Sequence, residues 1–124
     1  MILTGGIVKT EIHEQARGCA KALSDGKGLE ISIIDLTELG SWTDFFVVAG
    51  ATSITHMRGL LRNLEEHAHL QGIAALRRPQ LQEDDEWCLV DYGDFVVHIM
   101  SQGARQFYDL ESLWHEGQIE RLAE

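Results

Sequence analysis

The stretch DYGDFVVHIM, Asp91 to Met100, gathers two carboxylates and a histidine around a glycine. Those residue types can bridge metal ions for phosphoryl transfer, and the histidine can move protons near neutral pH. Carboxylates that share ions from one strand face stand two residues apart, roughly 6.6 Å along the strand. Here the spacing is three. Gly-Asp between two apolar runs is also a turn signal, with glycine supplying the positive φ of a type II′ hairpin. If Gly93 and Asp94 form that turn, Asp91 sits on a strand and Asp94 at the loop tip, so their convergence on one ion is not secured.

The other candidates for chemistry are weaker. Gly50 to Ser53 (GATS) precedes a helix and could offer backbone N–H groups to an anion, but it lacks the P-loop lysine and the dinucleotide glycine pattern. A serine N-cap is the simpler reading. His56 follows Ser53 by three residues on the same helix, without a fixed acid to orient it for a triad. His67 and His69 are two apart, which at about 100° per residue points them to opposite sides of a helix. His98 alternates with Val96 and Met100, the setting of a hydrogen-bonded core histidine more often than of a metal ligand. HExxH, CxxC and EF-hand spacings do not occur. No catalytic residue, metal or cofactor is expected.

The elements that must carry these residues follow from periodicity. Val8, Ile12, Ala16, Cys19 and Leu23 recur at the spacing of one helix face, and the helix ends near Gly26 and Gly28. Leu29 to Leu36 and Phe45 to Ala49 read as strands; the second is apolar on both faces and therefore central in a sheet covered by helices. Ser53 caps a second helix with Met57, Leu60, Leu61, Leu64 and Ala68 inward, closed by Gly72. A weak strand spans Ile73 to Leu76, and RRPQLQEDDE is an exposed loop. Trp87 to Tyr92 and Phe95 to Met100 form the hairpin. Ser101 caps a last helix through Ala104, Phe107, Leu110 and Trp114. The expected order is α-β-β-α-β-β-β-α, with a tail from 115 to 124 of weak helical spacing at Ile119 and Leu122 that is expected to fray.

Composition narrows the class of partner. A chain of 124 residues, 44% hydrophobic and 24% charged, is read as one domain able to bury its own core. Ten basic residues against twenty acidic ones give a formal charge of -10, which repels nucleic-acid phosphate and attracts basic protein surfaces. Cys19 and Cys88 sit among apolar neighbours and read as buried free thiols of a reducing compartment. No apolar run approaches the roughly 20 residues of a membrane span. The opening MILTGGIVKTE is too short and too soon acidic for a signal peptide.

The unusual material lies at the hairpin. Trp87, Leu89 and Asp91 share one strand face, and Cys88, Val90 and Tyr92 the other. Tryptophan and tyrosine beside acids are the residues that anchor protein interfaces, where a rigid ring desolvates and rim charges select the partner.

SWTDFFVVAGATSITHM, Ser41 to Met57, followed by WCLVDYGDFVVHIMSQGARQFYDLESLW, Trp87 to Trp114, resembles the ribosomal silencing factor family, also called the Iojap family. The two blocks, with the helix between them, cover most of the chain beyond its first helix and its tail. The resemblance implies an α/β (α+β) fold with a mixed sheet of about five strands flanked by helices, related to nucleotidyltransferases but without known catalysis, in a homodimer. It implies binding to the large ribosomal subunit through its ribosomal protein number fourteen, a block on small-subunit joining, and damped translation when nutrients are short. The family motif lands on Trp87, Leu89, Asp91, Tyr92, Gly93 and Asp94, and on Tyr108, Leu110 and Trp114; Ser53 and His56 are the other candidate interface. This chain departs from the family at Ile54 and Thr55, and at Glu83 to Glu86 before the tryptophan. A large-subunit assembly factor and a nucleotidyltransferase-like enzyme are the rival readings, and the bacterial cytoplasm or an organellar matrix the expected setting.

Overall fold

The computed structural model describes residues 5–77, 79–113 and 118–122. Helix α1 (Gly5–Asp25) leads into strands β1 (Leu29–Asp35) and β2 (Phe45–Ala51), then helix α2 (Ile54–Leu70), strands β3 (Trp87–Asp91) and β4 (Phe95–Ser101), the short helix α3 (Gln102–Tyr108) and strand β5 (Ile119–Arg121). Single 3-10 turns lie at Thr37–Leu39 and Leu110–Leu113. The sheet order is β3-β4-β2-β1-β5; β2 and β4 are parallel and the other neighbours antiparallel. The mixed five-stranded sheet is the one expected, and doubly apolar β2 is indeed central.

Both helix ends follow from local chemistry. Ile12, Ala16, Cys19 and Leu23 of α1 are all buried against the sheet, as their spacing demands. The amide of Gly28 donates to the carbonyl of Leu23 and that of Lys27 to Ser24, with Lys27 left-handed at φ 70, a Schellman ending with lysine in the usual glycine place. Ser53 caps α2 by accepting from the amide of His56, and Gly72 closes it at φ 72.

Three expectations are corrected. Ile73 to Leu76 is not a strand; among its backbone groups, the amide of Leu76 bonds the carbonyl of Asp91, so this stretch meets the outer edge of β3 at one point. The fifth strand comes instead from Ile119–Arg121 in the tail read as weakly helical, and the order becomes α-β-β-α-β-β-α-β. The last helix stops at Tyr108, because Asp109 turns left-handed at φ 42, a conformation that a short polar side chain tolerates. Phe107 points to solvent, at 80% exposure. Trp114 lies outside the described residues.

The sheet carries two unequal cores. Alternate residues of β1 to β4, including Ile33, Phe45, Val47, Val90, Phe95 and Ile99, pack under α1 and α2. The opposite face holds a smaller cluster of Ile34, Leu36, Val48, Met100 and Ala104, edged by Phe46, Trp87, Leu110 and Ile119. Cys19 and Cys88 are free and buried in the larger core, and burial pushes both thiols up to about 12.

A buried arginine ties the second layer down. The register between β1 and β2 slips between Leu29 and Ser32, where Glu30 is left-handed at φ 46. Arg105 of α3 donates to the carbonyls that this bulge turns outward, Leu29 at 2.8 Å and Glu30, and pairs with Glu111 at 3.0 Å. Ser32 donates to the same Glu111 at 3.0 Å. Removing one partner of such a group leaves buried polar atoms unsatisfied. Arg105→Ala is expected to lower unfolding free energy by about 3 kcal/mol in urea titrations, with Arg105→Lys recovering only part because one ammonium cannot span the fork; a loss near zero would show that the clamp is dispensable.

Candidate interaction surface

The hairpin forms as its turn chemistry dictates. Gly93 takes φ 89 while Asp94 does not share it, the pattern of a type II′ turn, and Tyr92 pairs with Phe95 across it. The carboxylate of Asp91 accepts the amide of Gly93 at 2.8 Å, closing an Asx turn. The turn is also pinned from the side: Thr43 donates its hydroxyl to the carbonyl of Gly93, and the amide of Asp44 donates to that of Asp94. Part of the D-Y-G-D motif is therefore structural. Tyr92 is only 8% exposed, stacked on Phe95 in the larger core and on the opposite face from Trp87. Asp94 stays exposed at the tip.

The other strand face is different. Leu89 is exposed, Trp87 and Asp91 are half-buried, and His98 lies directly opposite Leu89 on β4. A run of ring contacts crosses this face: Trp42 to Phe46 at 6.4 Å between centroids, Phe46 to His98 at 4.5 Å, His98 to Trp87 at 5.7 Å, Trp87 to Tyr108 at 4.7 Å and Tyr108 to Phe107 at 5.0 Å. Its centre is buried and its ends are open, with Trp42 at 68% and Tyr108 at 52% exposure. Carboxylates flank it in the chain on both sides, Glu83 to Glu86 before Trp87 and Asp91 with Asp94 after it.

His98 fixes the centre of that ridge. The indole N–H of Trp87 can only donate, and it donates to Nδ1 of His98 at 3.0 Å, so the imidazole proton resides on Nε2. Burial at 4% exposure pushes the imidazole pKa down to about 4, which keeps the ring neutral and Nδ1 able to accept. Among the described residues Nε2 has no hydrogen-bond partner.

The second candidate group is occupied by the fold. The amide of Thr52 donates to Nδ1 of His56 at 2.9 Å, and Nε2 reaches the carbonyl of Gly26 at 3.0 Å, so His56 staples the start of α2 to the end of α1. Ser53 is the cap, and Leu110 packs against the smaller core. Of the sequence candidates, Trp87, Leu89 and Tyr108 meet on one surface. Trp42, Phe46 and Phe107 join them without having been picked out as site residues; the signal was available in the aromatic pair of S-W-T-D-F-F, whose second phenylalanine faces away from the main core.

The pattern described as "Ribosomal silencing factor during starvation" matches residues 9–124. The chain belongs to the ribosomal silencing factor family. It is 33% identical over 107 residues to the ribosomal silencing factor RsfS of Treponema pallidum, covering 86% of this chain and 95% of that one. It is also 30% identical, over 68% of its length, to a mouse protein named "Mitochondrial assembly of ribosomal large subunit protein 1", of which it covers 38%. A crystal structure of a Chromobacterium violaceum protein superposes with a TM-score of 0.76 at 33% identity, covering 83% of this chain and 85% of that one. The aromatic ridge thus lies within the part of the chain that the silencing-factor pattern spans.

The neutral imidazole has a consequence for pH. The folded pKa of His98 is depressed from 6.5 to about 4, so the unfolded chain takes up the proton first as pH falls. Its contribution is complete above pH 6.5 and declines as pH drops toward about 4, by on the order of 3 kcal/mol. His98→Gln keeps an acceptor for the indole and removes the titration. Thermal melts should therefore show the wild type losing stability faster than His98→Gln across that window; parallel curves would mean that His98 is solvated in the native state.

Proposed function

We propose that this protein binds the large ribosomal subunit and blocks its joining to the small subunit, using the aromatic ridge around Trp87 against a basic ribosomal protein at the joining face, ribosomal protein number fourteen. The observation that supports this most is the ridge itself: the exposed rings of Trp42, Phe107 and Tyr108 beside the motif residues Trp87 and Leu89, flanked by carboxylates, on a chain of formal charge -10. Rings that desolvate in a partner's pocket supply the affinity, and the surrounding acids speed encounter with a basic surface. The family's name, a silencing factor during starvation, supports nutrient limitation as the setting. Bacterial relatives support a bacterial cytoplasm.

A second reading, assistance in large-subunit assembly, is favoured by the mouse relative's name and uses the same surface. Depletion separates the two: loss of a silencing factor leaves subunit profiles normal and starvation repression weak, whereas loss of an assembly factor accumulates incomplete large subunits. We also propose a homodimer. Leu70, exposed on α2 behind the sheet, leaves apolar surface on the side away from the ridge. Light scattering should return twice the 13.9 kDa chain mass, and a single-chain mass would remove the dimer.

The binding test is co-sedimentation with free large subunits, set against joined ribosomes, which should not retain the protein. Trp87→Ala should lose on the order of 2 kcal/mol of binding. Because it also strips His98 of a partner, Leu89→Ala and Phe107→Ala, both exposed, are the cleaner variants; each should weaken binding while melting like the wild type. Asp94→Lys should weaken it more than Asp94→Asn. Full retention by the Leu89 and Phe107 variants would move the interface off this face.

A further inference from the structure

The ridge ends in a pocket. At the start of α3 an open cavity of about 450 Å³ is lined by Asp84, Asp85, Glu86, Trp87, Phe107 and Tyr108, with Gly103 and Ala104. No lining residue is basic, and among the described residues no ion pair reaches the three acids. Their hydrogen bonds come from neutral donors: Asp85 accepts the amide of Gln82 at 2.8 Å, and Glu86 accepts the hydroxyl of Ser101 at 3.2 Å. Three negative charges therefore share one lining with aromatic rings whose faces are themselves electron-rich, and no cationic side chain of the lining neutralises either. Phe107 and Tyr108 stand edge to face at 82°, so they present surfaces in two directions, and both are exposed.

We propose that this pocket receives an arginine side chain of the basic partner. A planar guanidinium stacks on an aromatic face while its N–H fork reaches carboxylates, and it is weakly hydrated enough to leave water for such a site. A neutral apolar side chain would bury the three carboxylates without compensation, and an acidic one would be repelled. The inference rests on the large-subunit reading above and deepens it. The ridge supplies apolar contact, and the pocket at its α3 end selects a cation and fixes where along the partner the ridge lies.

The test is the affinity of the full chain for purified free large subunits, measured across a salt series. The double variant Asp84→Asn/Asp85→Asn keeps shape and hydrogen-bond acceptors but removes two charges. It should bind roughly tenfold more weakly at low salt, with a shallower dependence on salt. Tyr108→Leu should bind roughly fivefold more weakly than Tyr108→Phe, since both are apolar but only phenylalanine keeps a ring face for a cation. The pocket is overturned if the double variant matches the wild type in affinity and salt dependence, or if the leucine and phenylalanine variants bind alike. Loss of binding in Leu89→Ala alongside either result would leave the wider reading standing. Failure of the wild type to bind large subunits at all would remove both.

Discussion

The central strands of this protein are apolar on both faces, and one sheet face is easier to cover than the other. β2 and β4 between them bury nearly every side chain they carry. One side receives two long helices, α1 of 21 residues and α2 of 17. The other receives a seven-residue helix and a 3-10 turn. A short element cannot span a sheet whose three inner strands are themselves seven residues long, since a helix rises only about 1.5 Å per residue against about 3.3 Å for a strand. Aromatic side chains fill the difference. Phe46, His98 and Trp87 roof the strands that α3 does not reach, and the roof is completed only partly, which leaves rings open to solvent.

That division explains why the most recognisable stretch of the chain serves two purposes. In D-Y-G-D, Asp91 and Gly93 build the turn, Tyr92 enters the larger core, and Asp94 is left outside. Trp87 is both roof and surface: its indole N–H is spent on His98 while its ring meets Tyr108. A polar handle buried on a neutral imidazole holds one rotamer of a large ring, so the exposed part of the ridge is presented already ordered, which lowers the entropy cost of any contact it makes.

Local signals in the sequence were faithful wherever the cause was local. The caps at Ser53 and Ser101, the glycine at 72, the inward faces of α1 and α2 and the Gly93 turn all follow from neighbours within a few residues. Pairing at the sheet margins was not legible. Ile73 to Leu76 and Ile119 to Arg121 are both short and partly apolar, and only a partner distant in sequence decides which becomes a strand; β1 lies free beside the second. The end of α3 misled for another reason. Ala104, Phe107, Leu110 and Trp114 keep helical spacing straight through Asp109, and periodicity does not register a residue turned left-handed. The surface was half visible: Trp87, Leu89 and Tyr108 carry the family motif, whereas Trp42 and Phe107 depend on where the chain leaves them after folding.

β5 also sets an order of events at the ribosome that makes the protein. β1 is translated early, yet its outer neighbour is made from Ile119–Arg121, held in place by Glu120 against His13 and Arg17 of α1. Until those later residues leave the exit tunnel, the nascent chain carries an unpaired strand edge, the kind of template on which other chains can add. The slipped register against β2 at Leu29 to Ser32, with Glu30 turned left-handed in it, leaves only Ser32 to Ile34 paired with β5, so the edge left waiting is short. The irregularity that receives Arg105 thus also shortens the edge that a half-made sheet would present to other chains.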